Sequence, residues 1–167
     1  MANSGGDAGR GPAVDFRVLA GGQTGADRGA LDAALDAGVP CGGWCPAGRW
    51  AEDGPIAARY PLRETPETDP LVRTRRNVAD ADGTLVLTLG APDAGTQATV
   101  DAAEDLGRPW LEIDLSAMAD EAAALKIAAW IGQVPIRTLN VAGPRESKAP
   151  GLRDRVRHVL GAVLSMM

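Results

Sequence analysis

The sequence predicts a single α/β domain built on a mostly parallel sheet with helices on both faces. Three observations lead there. Short apolar runs alternate with segments of helical period along almost the whole chain, so that strands arrive one at a time with a crossover between them. Glycines stand where strands hand over to helices, at Gly21, Gly22 and Gly25, at Gly90 and at Gly143. The length, 167 residues, is one domain's worth of chain and enough to bury a core without disulfide staples.

The elements follow in order. Residues 1–12 (MANSGGDAGRGP) carry no periodic apolar position and are expected to form a flexible tail ahead of a folded domain over 13–167. Phe16 to Ala20 is a first strand. Ala26 to Ala37 places Ala30, Leu31, Ala34 and Leu35 on one helical face and stops at Gly38. Val39 to Trp44 is a second apolar run, and Cys45 to Pro70 reads as a long irregular stretch, of the kind that is uncommon inside a compact domain and often functional. Asp69 as N-cap and Pro70 at the first helical position open a helix to about Ala79. Then come a strand at Gly83 to Leu89, a helix at Thr96 to Leu106, a strand at Pro109 to Ile113, a helix at Ala117 to Ile131, a strand at Thr138 to Ala142 and a closing helix at Ala149 to Leu164. Right-handed crossovers between such strands give a parallel sheet.

Composition narrows the function. Lys plus Arg is 17 against 22 for Asp plus Glu, a net charge of -5, which disfavours a broad footprint on nucleic acid. A small anion needs only a local pocket and stays compatible. No run approaches the ~18 apolar residues of a membrane span, and no basic start leads into an apolar run, so a cytoplasmic protein without a membrane partner is expected. Cys41 and Cys45 read as reduced thiols; His158, the single histidine, falls in the last helix, which leaves no metal-ligand set and no Ser-His-Asp or Cys-His arrangement. No catalytic residue is assigned.

In open parallel sheets ligands bind beyond the carboxyl ends of the strands, so the strand-to-helix loops hold the candidates. The first is Gly21-Gly22-Gln23-Thr24-Gly25-Ala26-Asp27-Arg28, whose glycines permit close approach to an anion at a helix N-terminus. Its glycine spacing is neither the dinucleotide fingerprint nor a Walker A loop, and Thr24 or Asp27 could simply cap the helix. The second loop offers the Gly95 amide and the Thr96 hydroxyl, with Asp93 or Thr96 as a cap. The third, Asn140 to Lys148, brings Asn140, Gly143, Arg145, Ser147 and Lys148; Arg145 suits a bidentate phosphate and Lys148 a point charge. Between them, Gly42 to Ile56 gathers Trp44, Arg49, Trp50, Glu52 and Asp53, and a planar heterocycle could stack on either indole.

Taken together, GGQTGADRGALDAALDAG, GGWCPAGRWAEDGPIAARYPLRET, NVADADGTLVLTLG and NVAGPRESKAPG resemble the molybdenum cofactor carrier family, a Rossmann-like group that includes the lysine-decarboxylase-like proteins. The resemblance runs from about Phe16 to the last helix. It implies a Rossmann-like ligand-binding domain that assembles as a homo-oligomer and binds molybdopterin, the phosphorylated pterin of the molybdenum cofactor, without transforming it. Related phosphoribohydrolases, which cleave nucleoside monophosphates, carry Gly-Thr-x-x-Glu where this chain has Gly95-Thr96-Gln97-Ala98-Thr99, so their carboxylate is missing. The alternatives are a nucleoside-monophosphate N-glycosidase that uses Glu52 or Asp53 as its acid, and a nucleotide-sensing domain. In all three the ligand is a small anionic heterocycle.

Overall fold

The structure is a computed structural model that describes residues 15–167; the expected tail at 1–12 lies outside the described residues. β1 (Arg17–Leu19) runs into α1 (Ala26–Ala37), and β2 (Cys41–Gly42) returns beside it. An excursion follows through β3 (Trp44–Cys45), β4 (Trp50–Ala51), β5 (Gly54–Pro55) and β6 (Arg63–Glu64). Then come α2 (Pro70–Asp80), β7 (Gly83–Thr88), α3 (Ala94–Asp105), β8 (Trp110–Asp114), α4 (Asp120–Gln133), β9 (Thr138–Ala142) and α5 (Leu152–Ser165). Five strands make one sheet in the order β2-β1-β9-β7-β8, every neighbouring pair parallel. This is the single Rossmann-like α/β domain that the alternation of elements predicts.

Helix ends show local chemistry deciding the boundaries. α1 stops at Gly38, left-handed at φ 67°, whose N–H returns to the Ala34 and Leu35 carbonyls. The Asp69 carboxylate accepts the Leu71 amide at 2.9 Å, with Pro70 at the first position as expected. α3 starts at Ala94 rather than Thr96, because Asp93 caps it by accepting the Thr96 amide at 2.8 Å. α4 starts at Asp120 rather than Ala117, because the Asp114 carboxylate takes the Ser116 amide and hydroxyl at 2.9 and 2.6 Å and holds a turn there. α5 starts at Leu152 rather than Ala149, its first amides answered by the Glu146 carboxylate through Gly151 and Arg153.

The excursion departs from the irregular stretch expected at Cys45 to Pro70. β3 pairs in parallel with β6, and β4 pairs antiparallel with β5. Its organiser is Arg49, at φ 52° the one positive-φ residue other than glycine among the described residues. The guanidinium donates to the carbonyls of Ile56 at 3.1 Å, Leu62 at 3.2 Å, Ala57 at 2.8 Å and Tyr60 at 3.0 Å. One rigid planar cation thus ties four carbonyls of a turn-rich segment together, two of which, Ala57 and Tyr60, also accept backbone amides.

α1 packs on α5 and α5 on α4, while α2 packs on α3, giving a helical layer on each side of the sheet. The main core runs from Val18, Leu31, Leu85 and Leu139 to Val156 and Leu160, and Val78 with Ala102 and Ala103 makes a separate cluster between α2 and α3. Buried Asp32 joins three elements, accepting from the Tyr60 hydroxyl at 2.6 Å and from Arg153 Nε at 2.8 Å. The chain leaves β1 toward one edge of the sheet and β7 toward the other, with β9 laid between them. That reversal opens a crevice beyond the carboxyl ends of β1, β9 and β7. No helix among the described residues is long and apolar enough to cross a membrane.

Candidate functional site

The crevice has a volume of about 240 Å³ and takes residues from every loop that flanks it. Gly21, Gln23 and Asp27 come from the first loop and α1; Gly95, Thr96 and Thr99 from α3, with its cap Asp93; Asn140, Gly143, Arg145 and Lys148 from β9 and the loop beyond it. α2 supplies Leu71, Arg73, Thr74 and Asn77, and Trp50 reaches in from the hairpin. Trp50 and Leu71, each 53% exposed, form an apolar rim.

Of the candidates from the sequence, Gly21, Gln23, Gly95, Thr96, Asn140, Gly143, Arg145 and Lys148 line this crevice. The others lie outside its wall, and most are engaged elsewhere. Gly22, at φ 81°, faces the excursion, where a Cβ would press on Ile56 and Leu62. A Cβ at Gly25 would overlap the Pro144 carbonyl, which itself accepts the Ala26 amide at 3.2 Å. Thr24 donates to Glu52 and accepts the Glu146 amide at 3.1 Å. Arg28 binds the Asp53 carboxylate and the Gly22 carbonyl, at 3.1 and 3.0 Å. Trp44 gives its indole N–H to Asp80 at 2.9 Å and stacks on Arg76 at 4.7 Å, so of the two indoles Trp50 is the one at the crevice. Arg49 is the carbonyl hub of the excursion.

Glu52 and Ser147 form a strap between the hairpin and the loop after β9. Glu52 accepts the Ser147 amide at 3.1 Å and hydroxyl at 2.6 Å, and lies 3.5 Å from Arg145 Nε. Partial burial opposes the charge on Glu52, but the hydrogen bonds from Ser147 and Thr24 prevail and hold its carboxyl below the usual range. The hydrogen bond from Arg28 does the same for Asp53.

The two helix N-termini that meet the crevice are in different states. At α1 three donors are taken by the chain itself: the Gln23 amide goes to Asp27 Oδ2 at 3.3 Å, the Ala26 amide to Pro144 and the Arg28 amide to the Gln23 carbonyl. At α3, Ala94 and Gly95 open the helix and have no intrahelical acceptor for their amides. Thr96 is 3% exposed, and its hydroxyl has no hydrogen-bond partner among the described residues. Lys148 Nζ stands 3.8 Å from the cap Asp93. Two amides, an unsatisfied hydroxyl and two cations, Lys148 and Arg145, can together hold a small anion.

Asp27 and Arg73 were not among the residues singled out from sequence. In the sequence Asp27 reads only as a possible helix cap, and Arg73 lies in a helix that looks like any charged outer face. The one signal for Arg73 is a helix with three arginines and no acid from Pro70 to Ala79. Its Nη1 donates to the Gly21 carbonyl at 2.8 Å. Asp27 is 7% exposed, and burial pushes its carboxyl up to about 6 against the pull of Arg73, the Gln23 amide and Arg28. Among the described residues no group of three His, Cys, Asp or Glu side chains is placed to hold a metal ion.

No curated protein matches the chain. Among solved structures it is similar to the crystal structure of "Putative molybdenum carrier protein" from Syntrophus aciditrophicus SB, at 42% sequence identity and a TM-score of 0.87, over 89% of this chain and 94% of that one. A family model for the circularly permutated YpsA SLOG family matches residues 18–164, a span that takes in the sheet, both helical layers and every wall of the crevice. On that breadth of agreement, the chain belongs to the circularly permutated YpsA SLOG family.

Proposed function

We propose that this protein binds and carries the molybdenum cofactor, a phosphorylated pterin, and does not transform it. One observation carries the reading: the buried, unpartnered Thr96 hydroxyl at the N-terminus of α3, facing the crevice beside Lys148 and Arg145. An unsatisfied buried hydroxyl costs about 1–3 kcal/mol, and an anion at that place would accept its proton. The phosphate of the ligand therefore goes to Gly95, Thr96, Arg145 and Lys148, and the ring lies toward Gly21, Gln23 and Asn140 under the rim of Trp50. The name carried by the Syntrophus protein supports the same ligand class. Because the pterin's own sulfurs hold its metal, this cargo asks no Cys or His ligands of the chain.

Binding without turnover is the natural outcome at this site. Thr99, buried in the crevice wall, occupies the position at which phosphoribohydrolases carry their glutamate. Glu52 and Asp53, the acids of the glycosidase alternative, are tied to Ser147, Thr24 and Arg28 and lie outside the wall. Of the two acids in the crevice wall Asp93 is engaged as the cap of α3, so a glycosidase would have to rest on Asp27. Native mass spectrometry of the protein purified from its own host tests the proposal, with a retained pterin as the expected result. Base release from nucleoside monophosphates at enzymatic rates, abolished in Asp27→Asn, would overturn it. A homo-oligomer and a cytoplasmic location belong to the same reading, and sedimentation that gives only monomer at micromolar concentration removes the first.

A further inference from the structure

We propose that Asp27 and Arg73 together read one edge of the bound ring and select a 2-amino-4-oxo heterocycle, the pattern shared by pterins and guanine, over rings that lack the amino group. This rests on the ligand-binding proposal above and adds to it the chemistry of the ring.

The crevice has two chemically distinct ends. The anion end lies over β7, at the start of α3; Asp27 lies over β1, and β9 runs between the two. Adjacent strands are ~4.8 Å apart, so the ends are separated by roughly 10 Å, room for a ring whose phosphate sits at α3. At the Asp27 end the sequence places an acceptor and a donor on either side of Gly21. A Cβ on Gly21 would meet Arg73 Nη1 at 2.5 Å and Asp27 Oδ2 at 3.0 Å, so glycine leaves room for the two charged groups at the crevice wall. Arg73 spends Nη1 on the Gly21 carbonyl and has further N–H groups to give.

The carboxylate is short of donors. Asp27 Oδ2 accepts the Gln23 amide at 3.3 Å and the Gly21 amide adds a weaker pull, while the residue is buried and borders the crevice. A buried carboxylate with so few donors is costly and is relieved by further N–H groups. The edge of a 2-amino-4-oxo ring presents a carbonyl, a ring N–H and an amino group in sequence: the carbonyl accepts from Arg73, and the two N–H groups donate to Asp27. An adenine edge sets a ring-nitrogen acceptor against the carboxylate, and hypoxanthine lacks the amino donor. The carboxyl held up at about 6 agrees with an under-solvated group waiting for such donors.

The test is calorimetric titration of the whole chain at about pH 8, where the Asp27 carboxyl is ionised, with guanosine, inosine and adenosine monophosphates and with inorganic phosphate. Guanosine monophosphate should bind at least about tenfold more tightly than inosine monophosphate, and adenosine monophosphate more weakly still, because a site built to hydrogen-bond a group rejects the analogue without it. In Asp27→Asn the gap between guanosine and inosine monophosphates should close while phosphate affinity stays as it was. Equal binding of the two by the unaltered protein, which needs no variant to fold, overturns the inference; so does a loss in Asp27→Asn that falls equally on inorganic phosphate. If inorganic phosphate binds and the nucleotides do not differ, this inference alone fails. If neither phosphate nor any nucleotide binds, the ligand-binding proposal fails with it.

Discussion

The loop before α1 and the loop before α3 use the same device, a glycine-bearing turn that delivers a strand into a helix N-terminus, yet their surroundings differ. Before α1 the Gln23, Ala26 and Arg28 amides and the Thr24 hydroxyl are bonded within the chain, and Gly25 lets the backbone of the loop after β9 come close. Before α3 two amides and the Thr96 hydroxyl are left over. The richer glycine motif is therefore the structural joint, and the plainer one is where the proposed function puts the ligand's charge. A glycine loop at a helix start is an anion site only when its donors are unspent, and that depends on what the rest of the chain brings to it.

Substitutions can break this contrast, and the largest effect belongs to the joint. Gly25→Ala forces a left-handed φ of 80° on a side chain, ~1–2 kcal/mol, and drives a methyl into the Pro144 carbonyl, a further ~1–3 kcal/mol. At Gly95 the nearest atom to a new Cβ is Asp93 Oδ1 at 3.8 Å, so Gly95→Ala should leave thermal stability unchanged or slightly raised. Comparable melting temperatures for the two variants would erase the distinction between joint and receptor. Gly22→Val, which from the sequence looks like a clean loss of binding, should instead unsettle the excursion, since its Cβ meets Leu62 at 2.5 Å.

The next effect depends on pH. The Asp27 carboxyl moves from 3.8 to about 6 on folding, so the folded state holds this proton more tightly than the unfolded chain. Its stabilising contribution is complete below about pH 4 and is lost as pH rises through about 6, a change of about 3 kcal/mol. Asp27→Asn, neutral throughout, should match the parent near pH 4 and exceed its stability above pH 6 by up to about that amount. Denaturant melts across this range check it, and a pH-independent difference would deny the burial cost.

Matched threonine substitutions sharpen the comparison at smaller cost. Thr96→Val removes a hydroxyl that bonds to nothing and should stabilise the protein by about 1 kcal/mol while weakening inorganic phosphate about tenfold. Thr24→Val removes a hydroxyl with two partners and should destabilise by about 1 kcal/mol per bond, with phosphate affinity kept. The smallest effect is that of Lys148→Gln, whose 48% exposed side chain is screened by solvent; phosphate affinity should fall a few-fold and lose part of its salt dependence.

What the sequence made legible follows from how local each cause is. α1 and β9 lie where periodicity places them, at Ala26–Ala37 and Thr138–Ala142, because a helical stripe and an apolar run are complete signals in themselves. The carboxyl-end crevice was also legible, through the alternation that forces parallel strands. The excursion was not, since two-residue strands have no period and β3 finds β6 by pairing Trp44 with Arg63 and Cys45 with Glu64, across the intervening hairpin. Arg73 and Asp27 escaped for a related reason. Each is an ordinary helix residue in sequence, and only the packing of α2 against the first loop sets them on either side of Gly21. Trp44 and Trp50 look equivalent on the page until Asp80 and Arg76 claim the former.

The guanidinium of Arg49 makes the excursion behave like a small metal-centred module whose ion is part of the polypeptide. Four carbonyls converge on one cation, as they would on a bound ion. Because this cation is covalently tethered, no chelator, dilution or change in metal supply removes it. The wall that carries Trp50 to the crevice is thereby held by the chain itself, without drawing on any free ion.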